Sequence, residues 1–251
     1  MGDKSSIEWT DATWNPTTGC SKVSPGCKNC YAQRLSQRLE KMGNPKYKNG
    51  FRFTTHPDAL NLPLSWRSPR KIFVNSMSDL FHENMPEKFL RKCFNVMEEA
   101  DWHVYQILTK RPERMLSFTQ QYGHVSDHIW LGTSVEMGMF KPRIETLKQV
   151  DCKIKFISFE PLIGPIGEVD LTGISWAIAG GESGPNHRPV LKEWVREIRD
   201  QCKEQRVSFF FKQWGGITPK SGGRILDGRK WNEYPSMNDP TKELPLSVSA
   251  H

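Results

Sequence analysis

The chain has 251 residues, 37% of them hydrophobic and 25% charged, with a formal net charge of +7 at pH 7. That length allows one large α/β domain or two small ones and buries a core without staples, which excludes a disulfide-framed mini-protein. The composition is that of a soluble globular protein, and the positive balance favours an anionic partner such as a nucleic acid, a nucleotide or a phosphorylated substrate.

In chain order, the polar start Met1-Gly2-Asp3-Lys4-Ser5-Ser6 has no secretory character, and no apolar run is long enough to span a bilayer. The expectation is a cytoplasmic protein with no membrane association. Residues 4–13 read as a short strand or extended lead-in. They feed a loop over residues 14–31 that Pro and Gly keep from becoming helix or strand, and that sets Cys20, Cys27 and Cys30 in a C-x6-C-x2-C pattern. A closed zinc site uses four protein ligands, whereas a cubane iron-sulfur cluster on three thiolates leaves one iron open. The loop therefore reads as a cluster site, with structural zinc or no metal as the alternatives. Cys93, Cys152 and Cys202 stand apart in sequence and read as small buried hydrophobes.

The pattern Tyr31 to Met42 predicts a helix stopped by Gly43, and residues 44–70 predict an irregular insert at the surface. Beyond it, β-branched or aromatic runs alternate with helical stretches. Strands are expected at Lys71–Asn75, His103–Leu108, Ile129–Thr133, Ile154–Phe159, Ser175–Ala179 and Val207–Phe211. Helices are expected at Pro86–Ala100, Pro112–Gln121, Pro142–Val150 and Lys192–Gln205, three of them with Pro in the first turn. Residues 160–174 form only a Gly/Pro-rich connection, and residues 215–234 a flap over the barrel or the start of a tail. This is the pattern of an α/β partial (β/α) barrel of six or seven parallel strands with helices outside. It is expected as a single domain over residues 1–236, followed by a flexible tail over 237–251.

The strand ends are polar: Ser76 and Asp79, Lys110, Ser134 and Glu136, Glu160, Gly180-Gly181-Glu182 and Lys212. In a parallel barrel these ends share one mouth, where active sites are built.

The N-P-x-x-G-C opening, the three close cysteines, the aromatic residue after the last of them and the following barrel pattern resemble the radical S-adenosylmethionine superfamily. The likeness is carried by IEWTDATWNPTTGCSKVSPGCKNCYA, VNSMSDLFHE, LTKRPERM, LGTSVE, ISFEPLIGPI, AGGESG and FFKQWG, spread over residues 7–234. Within the superfamily the chain is similar to a poorly characterised phage- and mobile-element-associated family with the wide cysteine motif and, less closely, to the spore photoproduct lyase branch. Two features differ from the superfamily pattern. The usual spacing is C-x3-C-x2-C, and the Gly-Gly-Glu that normally follows the cluster soon after is found here only at Gly180-Gly181-Glu182, on a much later strand.

The resemblance implies a 4Fe-4S cluster on Cys20, Cys27 and Cys30, with S-adenosylmethionine chelated to the fourth iron. One electron from an external donor would then release a 5′-deoxyadenosyl radical that abstracts hydrogen from a substrate. It makes Tyr31 a contact for adenine. Ser76, Asp79, Lys110, Ser134, Glu136 and Glu160 become candidate contacts for the ribose and methionine groups of the cofactor. His82, Glu182, His187, Arg188, Lys212 and Trp214 are the candidate substrate-facing residues, with Trp214 and Phe211 able to stack on a base. Trp130 and Trp176 are expected in the core. Two rival readings are a zinc-stapled nucleic-acid-binding protein and a non-catalytic cluster protein serving as a sensor or a subunit of a complex.

Overall fold

The β-branched and aromatic runs pair where their alternation lets one face meet helices and the other meet aromatic rings. A computed structural model describes residues 5–236, so the expected tail at 237–251 lies outside the described residues. The strands are β1 (Ala12–Trp14), β2 (Thr17–Thr18), β3 (Thr54–Thr55), β4 (Lys71–Val74), β5 (Val104–Thr109), β6 (Ile129–Ser134), β7 (Lys155–Phe159), β8 (Trp176–Gly180) and β9 (Ser208–Gln213). The helices are α1 (Tyr31–Lys41), α2 (Glu87–Glu99), α3 (Pro112–Tyr122), α4 (Pro142–Lys148) and α5 (Lys192–Glu204). Seven strands form one parallel sheet in the order β1-β4-β5-β6-β7-β8-β9, curled into a half-barrel with helices around it; β2 and β3 pair antiparallel beside it. No described helix is long and apolar enough to cross a membrane.

Alternation along each strand separates two cores. Ile72, Val74, Ile107, Leu131, Ile157, Phe159, Ala177 and Phe209 face the helices, packing with Leu90, Phe94, Met115, Ile144, Val195 and Ile198. The opposite residues, Phe73, Trp130, Phe156, Trp176 and Phe210, fill the concave side together with Trp9. Trp130 and Trp176 are therefore core, as expected, with their rings edge to face at 5.9 Å. Gly132 belongs to this arrangement, because a Cβ there would sit 2.6 Å from the Phe156 ring. The aromatic plug closes the interior below, and the strand ends above it stay polar.

Helix boundaries follow the local chemistry. Pro112 and Pro142 occupy the first turns of α3 and α4, while Pro86 caps α2, which starts one residue later than expected. At the other end of α1, Gly43 takes φ +72°; its N–H donates to the Glu40 carbonyl and that of Asn44 to the Leu39 carbonyl, a Schellman closure. The 160–174 connection carries no helix. Gln201 and Gln205 on α5 accept from the backbone N–H groups of Val169 and Leu171 at 2.7 Å each, so that connection is held by side chains.

Three parts of the chain differ from the sequence reading. The first strand begins at Ala12 and includes Trp14, because Asp11 exchanges bonds with Lys71 and sets the register Ala12 to Ile72. The 44–70 insert is irregular but not superficial. Its short 3-10 turns bury Tyr47, Ala59 and Trp66, and the Trp14 indole N–H donates to the Ala59 carbonyl at 2.8 Å. Residues 224–234 form no flap over the mouth. They run along the outer edge of β9, where the Phe211 N–H donates to the Trp231 carbonyl and the Glu233 N–H to that of Phe209, covering an edge strand that would otherwise be unpaired. Leu226 and Trp231 are the buried anchors, and Arg224, expected in solvent, donates to the Phe211 carbonyl at 3.2 Å.

Burial also predicts a pH response. His56, His82 and His103 are buried, and burial is the main cause holding each imidazole below its ordinary value. As pH falls through about 6.5, the unfolded chain takes up these protons while the folded chain does not, so the unfolded state gains free energy of protonation that the native state lacks. The melting temperature is expected to fall on acidification from about pH 7 to about pH 5. A melting temperature that stays level or rises across that interval contradicts the burial of these rings.

Candidate functional site

The cysteine loop lies across the carboxyl ends of the strands. At β4, the Gly19 N–H donates to the Met77 carbonyl at 3.0 Å, and the Ser78 hydroxyl returns a 2.6 Å bond to the Gly19 carbonyl. Gly19 has φ +80°, and a Cβ on it would overlap the Arg52 carbonyl, so only glycine fits that crossing. Asn75, with φ 61°, turns the chain out of β4 and donates from its amide to the Thr17 hydroxyl at 2.9 Å. At β8, Asn29 donates to Glu182 at 2.9 Å and Arg34 to the Ser183 carbonyl at 2.9 Å. At β6, Gly26 lies over Glu136: a Cβ there would meet the Glu136 Oε1 at 3.0 Å. At β5, Arg111 reaches the loop through Cys20 and Ser21. Four strand ends thus hold one loop.

Cys20, Cys27 and Cys30 are free thiols and partly exposed, in contrast to the buried Cys93, Cys152 and Cys202. Cys27 ends the turn Pro25–Cys27, and Cys30 is the cap residue of α1, so two of the three are fixed by secondary structure. Burial, reinforced by the Asp79 carboxylate, pushes the Cys20 thiol up to about 12, with Arg111 acting in the opposite direction. Among the described residues, no group of three or more His, Cys, Asp or Glu side chains is gathered closely enough to hold a metal ion. By donor chemistry the three loop thiols suit a three-thiolate centre. Holding one requires the loop to draw them together. The two histidines near the loop are engaged elsewhere, His56 with the Thr18 hydroxyl and His82 with the Ser21 hydroxyl, each at 2.8 Å.

The other expected residues divide into bound and available groups. Asp79 is buried and saturated: Oδ1 accepts from Thr109 at 2.7 Å and the Phe81 N–H at 2.9 Å, while Oδ2 accepts from the Lys110 N–H at 3.2 Å and Arg111 at 3.0 Å. Ser76 shares its hydroxyl with the Asn15 amide at 3.2 Å, and its carbonyl accepts from the Tyr31 hydroxyl. Tyr31, half exposed, stands at the rim. Ser134 offers its carbonyl to Arg143 at 2.9 Å. Glu160 is paired with Lys212 at 3.1 Å, and a Cβ on Gly180 would lie 2.5 Å from its Oε1, so the first glycine of Gly-Gly-Glu makes room for this carboxylate.

Glu136 is different. Its side chain is fully buried; Oε2 is paired with Arg143 at 2.9 Å, and Oε1 has no hydrogen-bond partner. The Lys110 ammonium makes no hydrogen bond or ion pair among the described residues, leaving a cation free at the same rim.

Among the expected substrate-facing residues, Glu182 is held by Arg188 through bonds of 2.9 and 2.5 Å, and the guanidinium and Asn29 amide lower its carboxyl against the opposing effect of burial. His187 turns Nδ1 to the Gly184 carbonyl at 2.9 Å. Trp214 does not join the mouth. Its ring packs on Phe211 at 4.6 Å and on the helix-side core, and Phe211 is itself buried there, so neither is placed to stack on a base.

Arg111, Arg143, Asn29 and Ser21 were not singled out in the sequence. Arg111 follows Lys110 directly, and no spacing rule joins it to Cys20, 91 positions away. Arg143 follows Glu136 by seven positions, a helix-turn distance that becomes informative only once α4 is known to return to the strand end.

Residues 4–235 match the family described as protein of unknown function, DUF5131. The chain belongs to the DUF5131 family. The DUF5131 match takes in every strand and helix above and all three loop cysteines. No curated protein and no solved structure matched the chain.

Proposed function

We propose that this DUF5131 protein is a radical S-adenosylmethionine enzyme with Cys20, Cys27 and Cys30 as the cluster ligands, acting on a nucleic acid, a nucleotide or another anionic substrate. The observation that carries the reading is a three-thiol loop laid across the carboxyl end of a parallel half-barrel, the place where such folds build active sites. When bound, the cluster supplies the electron that cleaves S-adenosylmethionine.

This chain's own residues bind, orient and shield. Bonds from Asn29, Arg34, Ser78 and Arg111 seat the loop. The unpartnered Glu136 Oε1 is the acceptor suited to the methionine ammonium, and the uncommitted Lys110 ammonium suits its carboxylate. The aromatic plug of Trp9, Trp130 and Trp176 keeps water from entering below. For the zinc-stapled alternative a fourth ligand is missing from the loop's surroundings, because His56 and His82 are bonded to hydroxyls.

Anaerobically reconstituted, chemically reduced protein is expected to convert S-adenosylmethionine to 5′-deoxyadenosine, read by liquid chromatography with mass detection. Cluster-loaded, reduced protein that forms none, with or without oligonucleotides, contradicts the enzyme reading and leaves the non-catalytic cluster protein.

A further inference from the structure

Arg111 is the one cation hydrogen-bonded to a loop cysteine among the described residues. Its Nη1 lies 3.7 Å from the Cys20 Sγ, within the range of an N–H···S bond. The guanidinium is not free to leave. Nη1 also donates to Asp79 at 3.0 Å, Nε to Glu83 at 2.8 Å, and Nη2 to the Ser21 carbonyl at 3.3 Å and hydroxyl at 3.0 Å. Its side chain is 11% exposed, and Asp79, which anchors it, is itself held by Thr109 and two backbone N–H groups. The Ser21 hydroxyl is in turn held by His82 and Glu83. A buried fork of donors has been fixed against one sulfur by partners from three strand ends.

Hydrogen bonds and charge beside a ligating sulfur set the reduction potential of the centre it holds. A fixed N–H and a positive charge stabilise the added electron, and a nearby carboxylate opposes them. Resting on the function proposed above, we infer that Arg111 raises the reduction potential of the centre ligated by Cys20, and that Asp79 both aims Arg111 and moderates its charge. Arg111 is on this account a positioning and tuning residue, acting through Cys20.

The test is a potentiometric titration followed by electron paramagnetic resonance on reconstituted full-length protein. Arg111→Gln is expected to shift the potential down, and Arg111→Lys to fall between it and wild type, because Lys keeps the charge but not the fork. Asp79→Asn keeps the oxygen that accepts from Thr109 and Phe81 but drops the charge, and is expected to shift the potential up. Opposite signs for the Arg111 and Asp79 variants distinguish tuning from simple support of the loop. Unshifted potentials, shifts of the same sign, or loss of iron from all three variants overturn the inference. Should Arg111→Gln alone fail to hold iron, Arg111→Lys and Asp79→Asn decide the matter by the same signs. Wild-type protein that takes up no iron removes the centre and with it this inference; iron that is present but untuned overturns the inference alone.

Discussion

Replacing any one of Cys20, Cys27 or Cys30 with Ala removes the brown chromophore that anaerobic reconstitution builds, while Cys93→Ala, Cys152→Ala and Cys202→Ala leave it. The two groups differ in surroundings as well as spacing. The first three are partly exposed on a loop over the strand ends, and the other three are enclosed by apolar side chains of the helix-side core. Burial pushes the Cys93 and Cys202 thiols well above the ordinary range, so they stay protonated and weak as ligands. Their removal costs the ordinary amount for a small buried substitution, about 1 kcal/mol. With three thiolates and no fourth protein ligand, losing one leaves two irons without protein attachment, and no neighbouring histidine replaces it. Visible absorbance and iron content measure the outcome, and a normal cluster after Cys27→Ala contradicts the ligand assignment.

Arg143→Met is expected to cost about 3–5 kcal/mol, the range for breaking a buried ion pair from one side. Glu136 is fully buried and already has one unpartnered oxygen; Arg143 satisfies the other at 2.9 Å and also donates to the Ser134 carbonyl at 2.9 Å. Removing the guanidinium strands the whole carboxylate and also loses its stacking on Phe140 at 4.4 Å. In a chain of this size the melting temperature should fall by on the order of 10 °C. The double variant Glu136→Gln with Arg143→Met should recover part of the loss, since no charge is then left buried. Thermal and denaturant unfolding read both variants. A loss below about 1 kcal/mol in Arg143→Met would mean that Glu136 is hydrated or neutral, and the account of the β6 strand end would be wrong.

The same pair illustrates how much the sequence discloses. Glu136 stands out because it follows a strand, and all parallel strand ends in a barrel point one way. Its partner is hidden because α4 must first be placed. The strands β4 to β9 are legible because β-branched and aromatic residues recur at strand spacing, and the first turns of α3 and α4 carry Pro. β1 is obscure because three residues are too few for a period, and its register depends on the distant Lys71. The 44–70 insert resists reading for another reason. Its apolar residues sit on 3-10 turns separated by Pro, so neither helix nor strand spacing marks the buried Tyr47, Ala59 and Trp66. In the site, the cysteine spacing announces a metal, but the network at Cys20 is tertiary. Arg111 reads like any basic residue after a strand until Asp79, Glu83 and Ser21 are seen to converge on it. Asp79, by contrast, is a conspicuous carboxylate whose four bonds leave it a bracket for Arg111.

The central claim is that the loop of Cys20, Cys27 and Cys30 holds a four-iron cluster, and iron and acid-labile sulfide analysis after anaerobic reconstitution tests it most directly. Four irons and four sulfides per chain are expected for a cubane cluster. Stoichiometric zinc in protein purified in air, with no iron or sulfide taken up on reconstitution, would contradict it.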